Sequence, residues 1–116
     1  MHLETAQSIE HANVTEAQLR EAFRDDMGRG EYIILDRGER KRGRGTEHYI
    51  QAAGEFDDPY ILEYREGDSE HHFHADGEYT KAQVEQAFVW CLQNDGRWRT
   101  DFPWKKEEKK PWWKLW

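Results

Sequence analysis

The sequence predicts an α+β domain in which two helices pack on one face of a four-stranded antiparallel β-meander. Three observations predict it: an amphipathic helical segment lies near each end of the chain, strand-like segments fill the middle, and turn residues separate those strands. No helical pattern interrupts the strands, and a sheet with segregated helices defines the α+β class. The 116 residues suffice for one such domain, which we place at residues 1–104, followed by a charged, Trp-rich tail at 105–116.

The two helices are predicted by the same pattern of residues at their starts. Thr15 and Thr80 are each followed three residues later by a glutamine, which is the spacing of a capping box. The apolar residues that follow recur at i, i+3 and i+4, so each helix should bury one stripe. The stripes consist of Leu19, Ala22, Phe23 and Met27 in the first helix and of Val84, Ala87, Phe88, Cys91 and Leu92 in the second.

Four strands are predicted between the helices, and the last two should form a hairpin. They span residues 31–36, 47–53, 60–66 and 69–75. A two-residue turn at 67–68, with glycine first, would set Glu63 opposite His72. In this register one face of the hairpin is apolar and the other is polar, which is the sorting that a half-buried sheet needs. The polar face carries Glu63, Arg65, His72 and His74.

Composition and charge exclude several classes of protein. The one cysteine, Cys91, excludes an intrachain disulfide framework and a Cys-based zinc site, and its place on a helix stripe predicts a buried, unreactive thiol. We see neither an apolar run that could span a membrane nor a secretory signal, so we expect a cytoplasmic protein. No sequence motif of nucleophilic catalysis is present, and we assign no catalytic residue and no cofactor.

The net charge of −7 is unevenly distributed along the chain. Residues 37–44 hold five cations and one acid, and residues 103–116 hold five lysines and two glutamates, so the rest of the chain carries −14. A body this acidic repels nucleic acid and favours basic protein partners.

The predicted polar face offers a candidate metal site. His72 and His74 lie at i, i+2 on one strand, and Glu63 faces them, so two imidazoles and a carboxylate could act as ligands of zinc or iron. The alternative is a solvated face with a Glu–His pair, which contributes little to stability.

The basic segment offers a candidate nucleic-acid contact. Its cations alternate with glycines, which permit close approach of a phosphate backbone. The alternative is a solvated loop that offsets the acidic body, and no further basic face extends the segment. The residues concerned are Arg37, Arg40, Lys41, Arg42 and Arg44.

The C-terminal region holds five of the six tryptophans. Trp98 and Trp104, with Phe102, should cover the core of the domain itself. Three tryptophans further along could fold back or anchor a partner, because Trp is enriched at interface hot spots. They are Trp112, Trp113 and Trp116.

Short motifs across about half of the chain resemble small immunity proteins of bacterial polymorphic toxin systems. The motifs are the segment 60–67, YILEYREG, followed by the Thr-capped helix, and then DGRW at 95–98 and FPW at 102–104. The resemblance implies a cytoplasmic inhibitor that binds a cognate toxin, has no catalytic activity of its own, and covers a basic active site with an acidic surface.

The predicted function is therefore that of a non-enzymatic, cytosolic protein-binding domain. Its partner would be another protein, such as a toxin, or a second copy of the chain. The predicted contact residues are Glu63, Arg65, His72, His74, Trp112, Trp113 and Trp116. The alternatives are a metal-binding module or metal-dependent enzyme using Glu63, His72 and His74, and a nucleic-acid contact through residues 37–44.

Overall fold

The frame of the fold is an antiparallel sheet that carries helices on one face. The computed structural model describes residues 1–7, 10–25, 31–37, 47–54, 59–67 and 71–106. Within them the strands are β1 (His2–Thr5), β2 (Glu10–His11), β3 (Glu31–Asp36), β4 (Glu47–Gly54), β5 (Ile61–Gly67), β6 (His72–Ala75) and β7 (Trp104–Lys106). The helices are α1 (Glu16–Asp25), α2 (Lys81–Leu92) and α3 (Arg97–Thr100). The seven strands lie in the order β2-β1-β3-β4-β5-β6-β7.

The α+β class is confirmed, and the sheet is larger than predicted. β3, β4, β5 and β6 lie where the four strands of the meander were expected, but β1, β2, β7 and α3 were not predicted. The sheet runs across the predicted boundary at residue 104, because Lys105 and Lys106 pair with β6. Of the helices described, none is long and apolar enough to cross a membrane.

Both predicted capping boxes form at the starts of the two long helices. The Thr15 N–H donates to Oε1 of Gln18 at 3.0 Å, and the Gln18 N–H donates to Oγ1 of Thr15 at 3.2 Å. Thr80 and Gln83 exchange the same two bonds, at 2.8 and 3.2 Å. Each pair satisfies backbone donors that have no partner within the helix, which fixes where α1 and α2 begin.

The core lies between the helices and one face of the sheet. Phe23 of α1 meets Phe88 of α2 edge to face, with ring centroids 5.0 Å apart. The predicted stripes are buried apart from Leu92, which is partly buried, and Met27, which lies outside the described residues. The sheet contributes Leu3, Ile33, Leu35, Ile50, Ala52 and Leu62 to the same cluster. Burial raises the pKa of the Cys91 thiol to about 12, as an unreactive thiol requires.

The predicted register of the β5–β6 hairpin is wrong by two residues. Glu63 pairs with His74, not with His72, and Arg65 pairs with His72. The Glu66 N–H donates to the backbone oxygen of His71 at 3.0 Å, so the connection between β5 and β6 is longer than the predicted two residues. Because side chains alternate with a period of two, a shift of two residues leaves each one on its predicted face.

Candidate binding face of the sheet

The sheet face that points away from the helices is the candidate functional site, and we call it the open face. Its side chains alternate along β1 to β6 with those of the core. None of the helices among the described residues packs on it. Two large apolar side chains stand on it in solvent: Tyr32 is 42% exposed and Ile61 is 58% exposed.

A group of polar side chains, which we call the Glu63 cluster, occupies the open face over β4, β5 and β6. Its members are Tyr49, Gln51, Glu63, Arg65, His72 and His74. Gln51 Nε2 donates to Oε2 of Glu63 at 2.6 Å, and Nε2 of His72 lies 3.1 Å from the same oxygen. One carboxylate thus holds an amide from β4 and an imidazole from β6, which fixes three strands relative to one another.

Aromatic contacts complete the cluster. The Tyr49 ring meets His72 edge-on with centroids 6.4 Å apart, and the guanidinium of Arg65 lies 5.6 Å from the Tyr49 ring centroid. His72 is buried although it lies on the open face. The structure therefore brings together all four contact residues predicted on β5 and β6, with Glu63 and His72 meeting as diagonal rather than direct neighbours.

The metal hypothesis at the Glu63 cluster stays a prediction. Among the described residues, the set of three potential ligands whose atoms all lie within 4.8 Å of one another is His2, Glu4 and Glu10. Glu63 and His72 approach closely, but with His74 they do not complete such a set.

Arg37 is the one residue of the predicted nucleic-acid segment that lies within the described residues. Its side chain is 16% exposed and points to the helix side of the sheet, where Nη2 donates to Oε1 of Glu66 at 3.0 Å. Arg99 of α3 donates to the same oxygen. The two guanidiniums also lie 4.9 and 4.5 Å from the ring centroid of Trp98. Arg37 thus belongs to a partly buried ion-pair cluster. The nucleic-acid role of Arg40, Lys41, Arg42 and Arg44 stays a prediction, because these residues lie outside the described residues.

Glu66 makes the stability of the fold depend on pH. Burial raises the pKa of Glu66, but the hydrogen bonds and charges of Arg99 and Arg37 outweigh it and hold the pKa below its ordinary value of 4.5. The ionised carboxylate therefore stabilises the fold above that value, and this stabilisation is lost as the pH falls through the lower, folded-state pKa. We expect Glu66→Gln to lower stability at neutral pH and to flatten the loss of stability in acid.

Urea unfolding between about pH 6 and pH 3 measures this effect. The matched control is Glu21→Gln, which removes the same charge from an exposed position on α1. The same pH slope in the wild type and in Glu66→Gln would contradict the assignment.

The predicted roles of the C-terminal aromatic residues divide into two groups. Trp98 is buried, and Phe102 and Trp104 pack against the core, so their predicted role in covering the domain is confirmed. Nε1 of Trp104 also donates to the backbone oxygen of Trp98 at 3.1 Å. The contacts predicted for Trp112, Trp113 and Trp116 lie outside the described residues and stay predictions.

Two members of the Glu63 cluster, and the whole group of His2, Glu4 and Glu10, were not predicted from the sequence. The alternation within β4 contained the signal for Tyr49 and Gln51, since they point away from the buried Ile50 and Ala52. No such signal marks β1 and β2, which are four and two residues long.

The side chains of the Glu63 cluster can take part in binding. Its carboxylate is engaged by two partners, and the thiol of Cys91 is buried in α2, away from the open face. Tyrosine, histidine and arginine side chains held on a sheet offer ring faces and charged hydrogen bonds to a ligand. No protein-family model, curated protein or solved structure matches this chain.

Proposed function

We propose that this protein is a non-enzymatic protein-binding domain whose contact surface is the open face of the sheet. The observation that carries the proposal is the exposure of Tyr32 and Ile61 next to an ordered polar cluster. Protein interfaces combine apolar and aromatic anchors with a polar rim, and Tyr and Arg are enriched in them. Ile61 precedes Glu63 on the same face of β5, so anchor and polar cluster form one continuous surface.

The partner that this surface fits is a folded protein with a basic patch. The chain carries a net charge of −7, and the open face bears the carboxylates of Glu4, Glu10 and Glu63. Opposite charges on two partners accelerate their encounter and exclude partners of the wrong sign. Arg65, over the Tyr49 ring, adds one fixed cation that would select for an acidic or aromatic group at that position.

An immunity-type inhibitor is the specific form of this proposal. The motifs at 60–67, 95–98 and 102–104 resemble such proteins, and an acidic surface that covers a basic active site is the mode of action that the resemblance implies. The protein would then act in the cytoplasm by occlusion and would need no catalytic group of its own.

Site-specific photo-cross-linking tests the proposal. A photoreactive amino acid at position 61 should capture a basic protein in cells that express this chain, whereas the same group at position 21, on the exposed side of α1, should not. The captured protein is then purified and titrated against the wild type and variants. Ile61→Lys should weaken binding by about tenfold or more, because it puts a cation at an apolar anchor facing a basic patch.

Ala17→Lys is the matched control, since it also replaces a neutral residue with a lysine, at an exposed position on α1 far from the open face. It should leave the dissociation constant near that of the wild type. Equal weakening by both variants would mean that net charge alone governs binding. Capture at position 21 but not at position 61 would assign binding to the helices and overturn the proposal.

A further inference from the structure

A second cluster on the open face lies at the edge of the sheet formed by β1 and β2. His2 and Glu4 stand two residues apart on β1 and therefore point to the same side, and Glu10 of β2 is the cross-strand partner of Glu4. The imidazole nitrogen and the two carboxylates supply three ligand atoms that all lie within 4.8 Å of one another. We call this group the His2 cluster.

The arrangement of charges in the His2 cluster favours a cation. Glu4 and Glu10 are directly opposed, and like charges at opposed positions destabilise a pair of strands. Asp36 of β3 is the cross-strand partner of His2 and adds a further carboxylate on the same side. A positive charge held between the two carboxylates would be attracted by both of them.

A separate observation concerns the imidazole of His2. Its Nε2 atom is buried and has no hydrogen-bond partner among the described residues. It lies 3.9 Å from Oε1 of Glu10, which is too long for a hydrogen bond. Zinc binds histidine nitrogen and carboxylate oxygen at about 2.0–2.2 Å, so two atoms up to about 4 Å apart can share one ion.

We propose that His2, Glu4 and Glu10 form a binding site for a divalent transition-metal ion, and that Zn²⁺ fits it best. One imidazole and two carboxylates are a donor set that zinc accepts, and a fourth position would stay open to water or to a group from a partner. Mg²⁺ and Ca²⁺ prefer oxygen ligands throughout and make less use of an imidazole. The bound ion would clip the two-residue strand β2 to β1.

Calorimetric titration of ZnCl₂ into the full chain, prepared without an affinity tag, tests the proposal. The wild type should bind one equivalent of Zn²⁺. His2→Ala, Glu4→Gln and Glu10→Gln should each weaken binding by more than about tenfold, the loss that even an outer-shell partner of a metal ligand can cause.

Two histidine variants serve as controls. His11→Ala removes the imidazole next to Glu10, on the side of β2 that faces away from the cluster, and should leave zinc affinity unchanged. His74→Ala removes an imidazole of the Glu63 cluster and should do the same.

Hydrogen exchange supplies a readout that does not depend on any variant. Zn²⁺ should slow exchange of the backbone amides of β1 and β2 in the wild type, and Mg²⁺ at the same concentration should not. Absence of zinc binding by the wild type would overturn the proposal, as would binding that survives all three ligand substitutions. Loss of binding in His74→Ala alone would move the metal to the Glu63 cluster and overturn it equally.

Discussion

Leu62→Ala should destabilise the protein by about 2–5 kcal/mol, whereas Ile61→Ala, one residue away on β5, should cost less than about 1 kcal/mol. Leu62 is fully buried in the core, and Ile61 is 58% exposed on the open face. Truncating Leu62 removes buried methyl groups and leaves a cavity that its neighbours fill only partly. Truncating Ile61 removes methyl groups that already contact water. Urea unfolding of the wild type and of the two variants measures both losses in the free energy of unfolding.

The adjacent pair tests the assignment of faces, because the two residues share a strand and nearly the same side-chain volume. Equal losses would show that Ile61 is covered in solution, and the open face would then not be available to a partner. If a second copy of this chain provides the cover, the loss measured for Ile61→Ala will depend on protein concentration. A small loss of stability that does not depend on protein concentration supports a free surface. It also shows that variants at position 61 are folded when their binding is measured.

The division of the hairpin into faces was predictable from the sequence, although its register was not. Side chains alternate with a period of two, so any even shift between β5 and β6 keeps Glu63 and His72 on one side. The register depends on how many residues connect the strands, and the bond from the Glu66 N–H to the His71 oxygen sets a longer connection than two residues. Glycine followed by aspartate at 67–68 is a local signal for a two-residue turn, and it therefore predicted the wrong register.

The strands that were missed are those whose formation depends on long-range pairing. Leu3 and Thr5 of β1 are buried because β1 lies beside β3. No strong local alternation of apolar and polar residues marks this strand. β7 consists of a tryptophan and two lysines. This segment has no strand-forming pattern of its own, yet it pairs along β6. The His2 cluster follows from the β1–β2 pairing and so was beyond sequence reasoning.

Arg37 shows the same limit in a candidate site. The local sequence, rich in arginine and glycine, favours a solvated basic loop. In the structure, Arg37 instead contacts Glu66 and Trp98, which lie 29 or more residues away and become its neighbours only when β5 and α3 assemble. A buried ring and a carboxylate shared with a second arginine outweigh the local preference.

Trp98→Ala should be among the most damaging single substitutions, with a loss of about 3–5 kcal/mol. The ring is 4% exposed and meets Tyr64 edge-on at 5.1 Å between centroids. Its removal would leave a cavity beside Arg37 and Arg99, whose guanidiniums now lie over it. Arg37 would then face a void while it stays largely buried, which is costly for a charge.

Trp90→Ala is the matched control, because Trp90 also lies beneath an arginine, with the guanidinium of Arg97 at 4.8 Å from its ring centroid, but is only partly buried. It should cost less than Trp98→Ala in urea unfolding. If Trp90→Ala lost as much stability as Trp98→Ala, or more, the result would contradict the burial of Trp98 in α3. If Trp98→Ala fails to fold, Trp98→Phe keeps an aromatic ring and allows the comparison.

Trp98 and Glu66 should also be coupled, because Arg37 and Arg99 contact both of them. A double-mutant cycle of Trp98→Phe with Glu66→Gln is expected to give an interaction energy of about 0.5 kcal/mol or more, since each substitution removes one of the two groups that position the same arginines. Additive losses would mean that the ring and the carboxylate stabilise α3 independently. Coupling would instead show that the two arginines join β5 and α3 as one unit on the helix side of the sheet.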